Sequence, residues 1–268
     1  LLPENIRSHL PDWYAQKTIT LGLDLRGGSH LLLEVDTDEL TQHKNPALHS
    51  QIINDAVIQS LEVVRRRLDE TGMVEPMITR QGADSILVQM PGVSDPQHIR
   101  ELLGTTAKMT FHWVADAKTR PGTAVISVKG EMQGSSYQLE EMVVLEGKHI
   151  SDARLAFSQQ TNEPVVNFKL DSEGAHQFGN LTKNNIGRAL AIVLDQQVVT
   201  APVIRSAIQG GSGEISGSFT SASANDLALL LRAGALPAPL KVIEERTVGP
   251  DLGSDAISMG ISTGIVGA

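Results

Sequence analysis

The chain has 268 residues, a formal net charge of −9, and 41% hydrophobic but only 3% aromatic residues. That length allows one large or two ordinary domains around an aliphatic core. The acidic balance argues against a surface that neutralises nucleic-acid phosphates and against a polybasic face for anionic lipid. With no cysteine, disulfides and thiolate metal or redox sites are excluded, and the compartment stays open.

The opening LLPENIRSHLPDWYAQK (1–17) lacks the apolar run of a secretory signal. Next comes TLGLDLRGGSHLLLEVD (20–36), which sets Gly27 and Gly28 between two apolar runs, beside Asp24 and Arg26. From Gly22 to Ser29 it is a near miss to the phosphate loop G-x-x-x-x-G-K-[ST]. Gly28 replaces the lysine, and a strand-like run follows where that motif needs a helix. The better reading is a backbone bend into a sheet, with Asp24 and Arg26 on one side of a strand and able to pair.

His30–Val35 reads as a strand. Over Pro46–Thr71 the period turns helical, with Ile53, Val57, Leu61, Val64 and Leu68 on one face and Gly72 as the stop. Arg65, Arg66 and Arg67 fan around that helix and read as solvated charge. Glu75–Gln81 and Ser85–Met90 form a hairpin through Gly82-Ala83-Asp84. Asp95 caps a short helix over Pro96–Leu103, and Lys108–Val114 is a further strand. The order is that of a ferredoxin-like βαββαβ unit, and the class is α+β.

After ADAKTRPG (115–122) the pattern becomes short strands with many glycines: Val125–Val128, Met142–Leu145, Leu155–Phe157 and Val165–Leu170. Asp171 or Ser172 opens a helix over Glu173–Leu181. Ala189–Leu194 and Val198–Ile204 form a hairpin whose turn, Asp195-Gln196-Gln197, holds no glycine. Val166, Phe168, Leu190, Ile192 and Leu194 alternate as one buried face. Ile208–Gly217 reads as a flexible loop. Ser221 or Ser223 caps a helix over Ala224–Ala233, ended by Gly234, and Leu240–Val248 is a last strand. Helix-then-strand text thus returns near Phe219. A mixed α/β head (116–217) is therefore expected to be inserted into a base made of 18–115 and 218–250. The end, ISMGISTGIVGA (257–268), reads as a frayed tail or as the first turns of a transmembrane helix, and its residues leave both open.

No nucleophile elbow, no H-x-x-x-H and no second glycine-rich phosphate fingerprint is present; Gly217 falls one residue late after Gly211 and Gly213. His30, His112 and His176 read as satisfied core or edge histidines. The residues favour a binding or mechanical module over an enzyme, with no catalytic, metal or cofactor site.

GLDLRGG (22–28), TNEPVVNFKLDSEGAHQF (161–178), GRALAIVLDQQVVTAPVIRSAIQGGSGEISGSF (187–219) and LRAGALPAPLKVIEERTVGPDLG (231–253) resemble, in order, the motifs of the SecD branch of the SecD/SecF family. One departure is Gln196-Gln197, where that family often carries glycine. The resemblance implies a large periplasmic region of a bacterial inner-membrane protein, with a base and a mobile head, working in Sec-dependent export. It implies unfolded preprotein as ligand and SecF, YajC and the SecYEG channel as partners. It also implies coupling to the proton-motive force through transmembrane helices outside this chain. On this reading 1–17 is membrane-proximal and 251–268 is a juxtamembrane segment that opens the second transmembrane helix. Gly22, Asp24, Arg26, Gly27 and Gly28 become a hinge where the chain enters the base. Pro121, Gly122, Gly210, Gly211, Gly213 and Gly217 become the base–head hinge. Phe157, Val165, Phe168, Ile192 and Val198 become candidates for contact with preprotein. The rival expectation is a static scaffold of an envelope complex; an enzyme using the glycine-rich loops ranks third.

Overall fold

The computed structural model describes residues 28–38, 46–73, 75–130 and 135–248. Gly22, Asp24, Arg26 and Gly27, the 1–17 linker and the 251–268 segment lie outside the described residues. The architecture is mixed α/β, with three sheets and four helices among the described residues.

The first sheet is antiparallel, in the order β13-β1-β3-β2, where β1 is Gly28–Val35, β2 Met77–Gln81, β3 Ser85–Pro91 and β13 Leu240–Val248. Helices α1 (Pro46–Glu70) and α2 (Pro96–Gly104) cover one face. The period-2 alternation of β1 and β3 sends Leu31, Leu33, Val35, Ile86, Val88 and Met90 to that face. There they meet Val57, Val64 and Leu68 of α1, all essentially inaccessible to solvent. Asp95 caps α2, accepting from the His98 N–H at 3.0 Å, with Pro96 in the first turn.

The fourth strand of this sheet is β13, not Lys108–Val114. β13 pairs with β1 along its whole length, from Gly28↔Val248 to Val35↔Leu240. It is a charged edge strand, LKVIEERTV, as befits an edge. The Lys108–Val114 stretch gives β4 (Met109–Trp113), which turns Met109, Phe111 and Trp113 into a different core.

That second core lies between two sheets. One runs β6-β5-β11-β10-β4-β7, comprising β5 (Val125–Gly130), β6 (Ser136–Glu140), β7 (Leu145–Glu146), β10 (Leu190–Leu194) and β11 (Gln197–Thr200) with β4. The other runs β12-β9-β8, comprising β8 (Ile150–Phe157), β9 (Pro164–Leu170) and β12 (Ser212–Ile215). Helix α3 (Ser172–Asn184), capped by Asp171, packs its Phe178 between them. The expected shared face is present: Val166, Phe168, Leu190 and Ile192 are buried together, with Leu194 packed against them.

Helix α4 (Ser221–Ala233) belongs to both cores. Leu229 and Leu230 enter the base, whereas Ala224, Leu227, Ala228 and Leu231 enter the head. The run Leu227–Leu231 (LALLL) is apolar all round, which suits a helix buried on two sides. The expectation that α4 packs on the base therefore covers half of its surface. Its cap is Thr220, not Ser221 or Ser223; Ser223 is the reciprocal partner in a capping box.

Candidate functional site

Two places gather side chains that the fold does not need merely to close a sheet. The first is a cleft of about 280 Å³ in the head. Phe111, Phe168 and Phe178 line it from below, with ring centroids of Phe111 at 6.0 Å from Phe168 and 6.1 Å from Phe178, tilted by 58° in both pairs. Such tilted contacts suit the quadrupoles of the rings. Leu190 and Ile192 of β10 continue the apolar lining. Pro202, Val203, Arg205 and Ile208 form a lip, and Gly213 and Glu214 of the edge strand β12 face it. Val203 is 55% exposed. Gly213 is needed for packing: a Cβ there would come within 2.5 Å of the Phe168 ring.

The five candidate ligand contacts separate. Phe168 and Ile192 line the cleft but are buried. Val165 and Val198 are buried elsewhere, Val198 with Leu139, Ala191 and Val193 on the opposite face of the six-stranded sheet. Phe157 ends β8 and is exposed.

The second place is the junction of base and head. The chain crosses between them at Thr105–Lys108, linking α2 to β4, and again at Gly234–Pro239, linking α4 to β13. The two crossings touch, Leu236 N–H donating to the Thr106 carbonyl at 2.9 Å. Arg67, read from sequence as solvated, is fully buried there. Its Nη1 donates to the carbonyls of Leu102 (2.6 Å), Leu103 (3.3 Å) and Thr105 (2.5 Å). Its Nη2 donates to Thr106 and Gly234, each at 3.3 Å. Burial pushes the guanidinium pKa down to about 10, against the pull of Asp195, so it stays charged at neutral pH. The sign of its linkage is unfavourable: the folded value lies below the unfolded one, so burying the charge costs stability until the pH rises through about 10.

Asp195, at the tip of the β10–β11 hairpin, holds the first crossing from the head side. Its carboxylate accepts from the Thr106 hydroxyl (2.5 Å) and from the N–H groups of Ala107 (3.0 Å) and Lys108 (2.8 Å). Ala107 sits at φ +55°, a left-handed conformation a non-glycine residue seldom adopts. Nearby, Arg232 of α4 pairs with Glu70 of α1 at 2.7 Å and donates to the Ala153 carbonyl of β8.

These contacts put the two chain crossings away from the six residues expected to form a base–head hinge. Pro121 and Gly122 form a turn closed by Thr123 N–H to the Arg120 carbonyl, on a loop between β4 and β5 of one sheet. Gly211, Gly213 and Gly217 also stay within the head: β12 pairs with β9, and Gly211 packs on Ala175. Gly210 has open space around it but belongs to the same connection. None of the six lies on a crossing. Gly28 is no free hinge either, being paired with both Val248 and Pro91, and a Cβ there would meet the Met90 carbonyl at 2.3 Å.

A third cluster also escaped the sequence. Arg188 lies over Trp113 at 5.0 Å and pairs with Glu140 at 2.5 Å, both charges nearly buried. His112 is satisfied as expected, between the Glu140 carbonyl and Thr110. His176 is instead exposed, and the buried histidine of this region is His149, beside Asp171 at 3.3 Å.

The family model for the P1 head subdomain of SecDF matches residues 123–238, and that for the N-terminal part of the SecDF P1 domain matches 57–116. The model for the SecD/SecF GG motif matches 15–39, a span that includes Gly27 and Gly28. The protein translocase subunit SecD of Acetobacter pasteurianus is 38% identical, over 97% of this chain and 65% of its own length. The chain belongs to the SecD/SecDF family. SecD of Rhodobacter capsulatus is 34% identical over 98% of this chain. A SecDF solved in a super-membrane-facing form shares 34% identity at a TM-score of 0.71, covering 96% of this chain and 35% of that one. A second structure, from work on SecDF as a membrane component that enhances protein export, shares 32% identity at a TM-score of 0.64; 81% of this chain covers 99% of that one. The chain spans 65% of the Acetobacter SecD and 63% of the Rhodobacter one. Among the described residues no helix is long and apolar enough to cross a membrane.

Proposed function

We propose that this chain is the export-side domain of a SecD protein, and that its head takes hold of unfolded preprotein. The observation that carries this reading is the cleft: an apolar floor of three phenylalanines beside the free edge of β12. An unfolded chain offers apolar side chains and unpaired backbone groups. An apolar pocket beside a strand edge answers both without demanding a sequence. The base, with sheet order β13-β1-β3-β2, is read as ferredoxin-like, interrupted between α2 and β13 by the head. In the full-length protein the domain is read as periplasmic and membrane-anchored. It works with SecF, YajC and the SecYEG channel and draws on the proton-motive force through membrane helices, binding without catalysing.

The test is binding of a fluorescent, permanently unfolded apolar peptide to the isolated domain. Val203→Asp puts a charge on the exposed lip and should weaken binding about tenfold, roughly 1.4 kcal/mol, with no change in melting temperature. A wild-type domain that ignores the peptide, or a variant that binds equally well, would sink the reading. The static scaffold is then the better one, and the helix shared by both cores is what favours it.

A further inference from the structure

Three helix ends meet at one guanidinium. Arg67 lies in the last turn of α1 and takes its acceptors from the C-terminal ends of α2 and α4. Helix C-termini carry partial negative charge, so their convergence offsets a buried cation that, among the described residues, has no carboxylate within hydrogen-bond reach. The choice is not one that maximises stability. Among the described residues the Arg67 Nε has no hydrogen-bond acceptor, and an apolar side chain would fill the site without burying a charge. What an apolar side chain lacks is reach to both crossings at once, through the Thr105 and Thr106 carbonyls on one and the Gly234 carbonyl on the other.

We propose that Arg67 is the pin of the base–head joint: its guanidinium sets the orientation of the head by holding both chain crossings, and the head turns on Thr105–Lys108 and Gly234–Pro239 when that hold is lost. Asp195 is its counterpart on the head, keeping Ala107 in its left-handed conformation. That backbone is held by the carboxylate and not by the preference of the residue, so releasing it gives the first crossing somewhere to relax. Leu229 and Leu230 add an apolar contact, but on one element, α4. Among the described residues Arg67 is the side chain that hydrogen-bonds to both crossings, beside the direct Leu236–Thr106 backbone bond between them. Its role is one of positioning, and it is independent of what the head binds.

The experiment measures head orientation directly. The chain has no cysteine. Spin labels at Gln59→Cys on α1 and Gln160→Cys in the head, both exposed, therefore report one base–head distance. The otherwise unaltered domain should give one narrow distance distribution. In Arg67→Met the distribution should broaden about twofold or split, as for a released hinge, while hydrogen exchange in β3 and β9 stays protected. Arg67→Lys keeps the charge but not the fork that spans two crossings, and should broaden it less. A folded Arg67→Met with an unchanged narrow distribution overturns the proposal. If Arg67→Met fails to fold, Arg67→Lys and Asp195→Asn decide: broadening in either supports the pin, and a narrow distribution in both overturns it.

Discussion

At the scale of single residues, the fold places several side chains against their intrinsic preferences, and each such place is informative. The β10–β11 turn has Asp195 at φ +45° and Gln196 at φ +66°, the two-residue geometry that usually calls for Asn-Gly or Asp-Gly. Asp195 holds its conformation through three hydrogen bonds to the first crossing. Gln196 is exposed. Gln196→Gly should therefore raise stability by about 1 kcal/mol, since a left-handed non-glycine residue costs 1–2 kcal/mol. Chemical denaturation should show a higher midpoint at unchanged slope. A midpoint that stays put or falls would mean that Gln196 contributes something glycine cannot.

At the scale of elements, the caps and hairpins show what local chemistry settles. Asp171 caps α3, accepting from Gly174 N–H at 2.7 Å, and that hydrogen bond, with His149 alongside, lowers its carboxyl pKa. A lowered folded value means that the stability Asp171 adds is present above its ordinary range near pH 4 and lost as the pH falls through the folded value. Asp171→Ala should thus lower the melting temperature at neutral pH, and the gap to wild type should narrow in acid. A gap independent of pH would assign the effect to something other than the ionised cap. The same element was legible beforehand, because a cap, a helix and a glycine-free strand are local signals. So were α1, α2, β3 and the face shared by Phe168 and Ile192. What was not legible was pairing at a distance. β4 looks like a closing strand for the base until β13, over a hundred residues later, takes that position. β6 and β12 were missed because SYQLE and SGEI carry little strand signal and are held by their neighbours. Arg67 hid among three consecutive arginines. Its spacing of three from Val64 and seven from the buried Ser60 was the one available hint.

At the scale of the molecule, the decisive fact is that α4 has no side to spare. Leu229 and Leu230 complete the base core while Ala224, Leu227, Ala228 and Leu231 complete the head core, on a helix of 13 residues. Neither core can be dismantled without stripping one face of α4, and the base is not a continuous stretch of chain, because the head is inserted between α2 and β13. Domains whose cores share an element do not unfold independently, since loss of either leaves large apolar side chains of that element exposed. The Arg232 side chain adds to this, bonding to Glu70 of α1 and to Ala153 of β8. The domain should therefore unfold in one cooperative step, whether or not the head reorients about the proposed Arg67 joint, because unfolding removes α4 from both cores. Native-state hydrogen exchange checks this. The slowest amides of β3 in the base and of β9 in the head should share one opening free energy, and Leu230→Ala should lower both by the same amount, about 2–5 kcal/mol. If Leu230→Ala weakens protection in β3 while β9 keeps its own, base and head are separate folding units, and the shared helix couples their positions but not their stability.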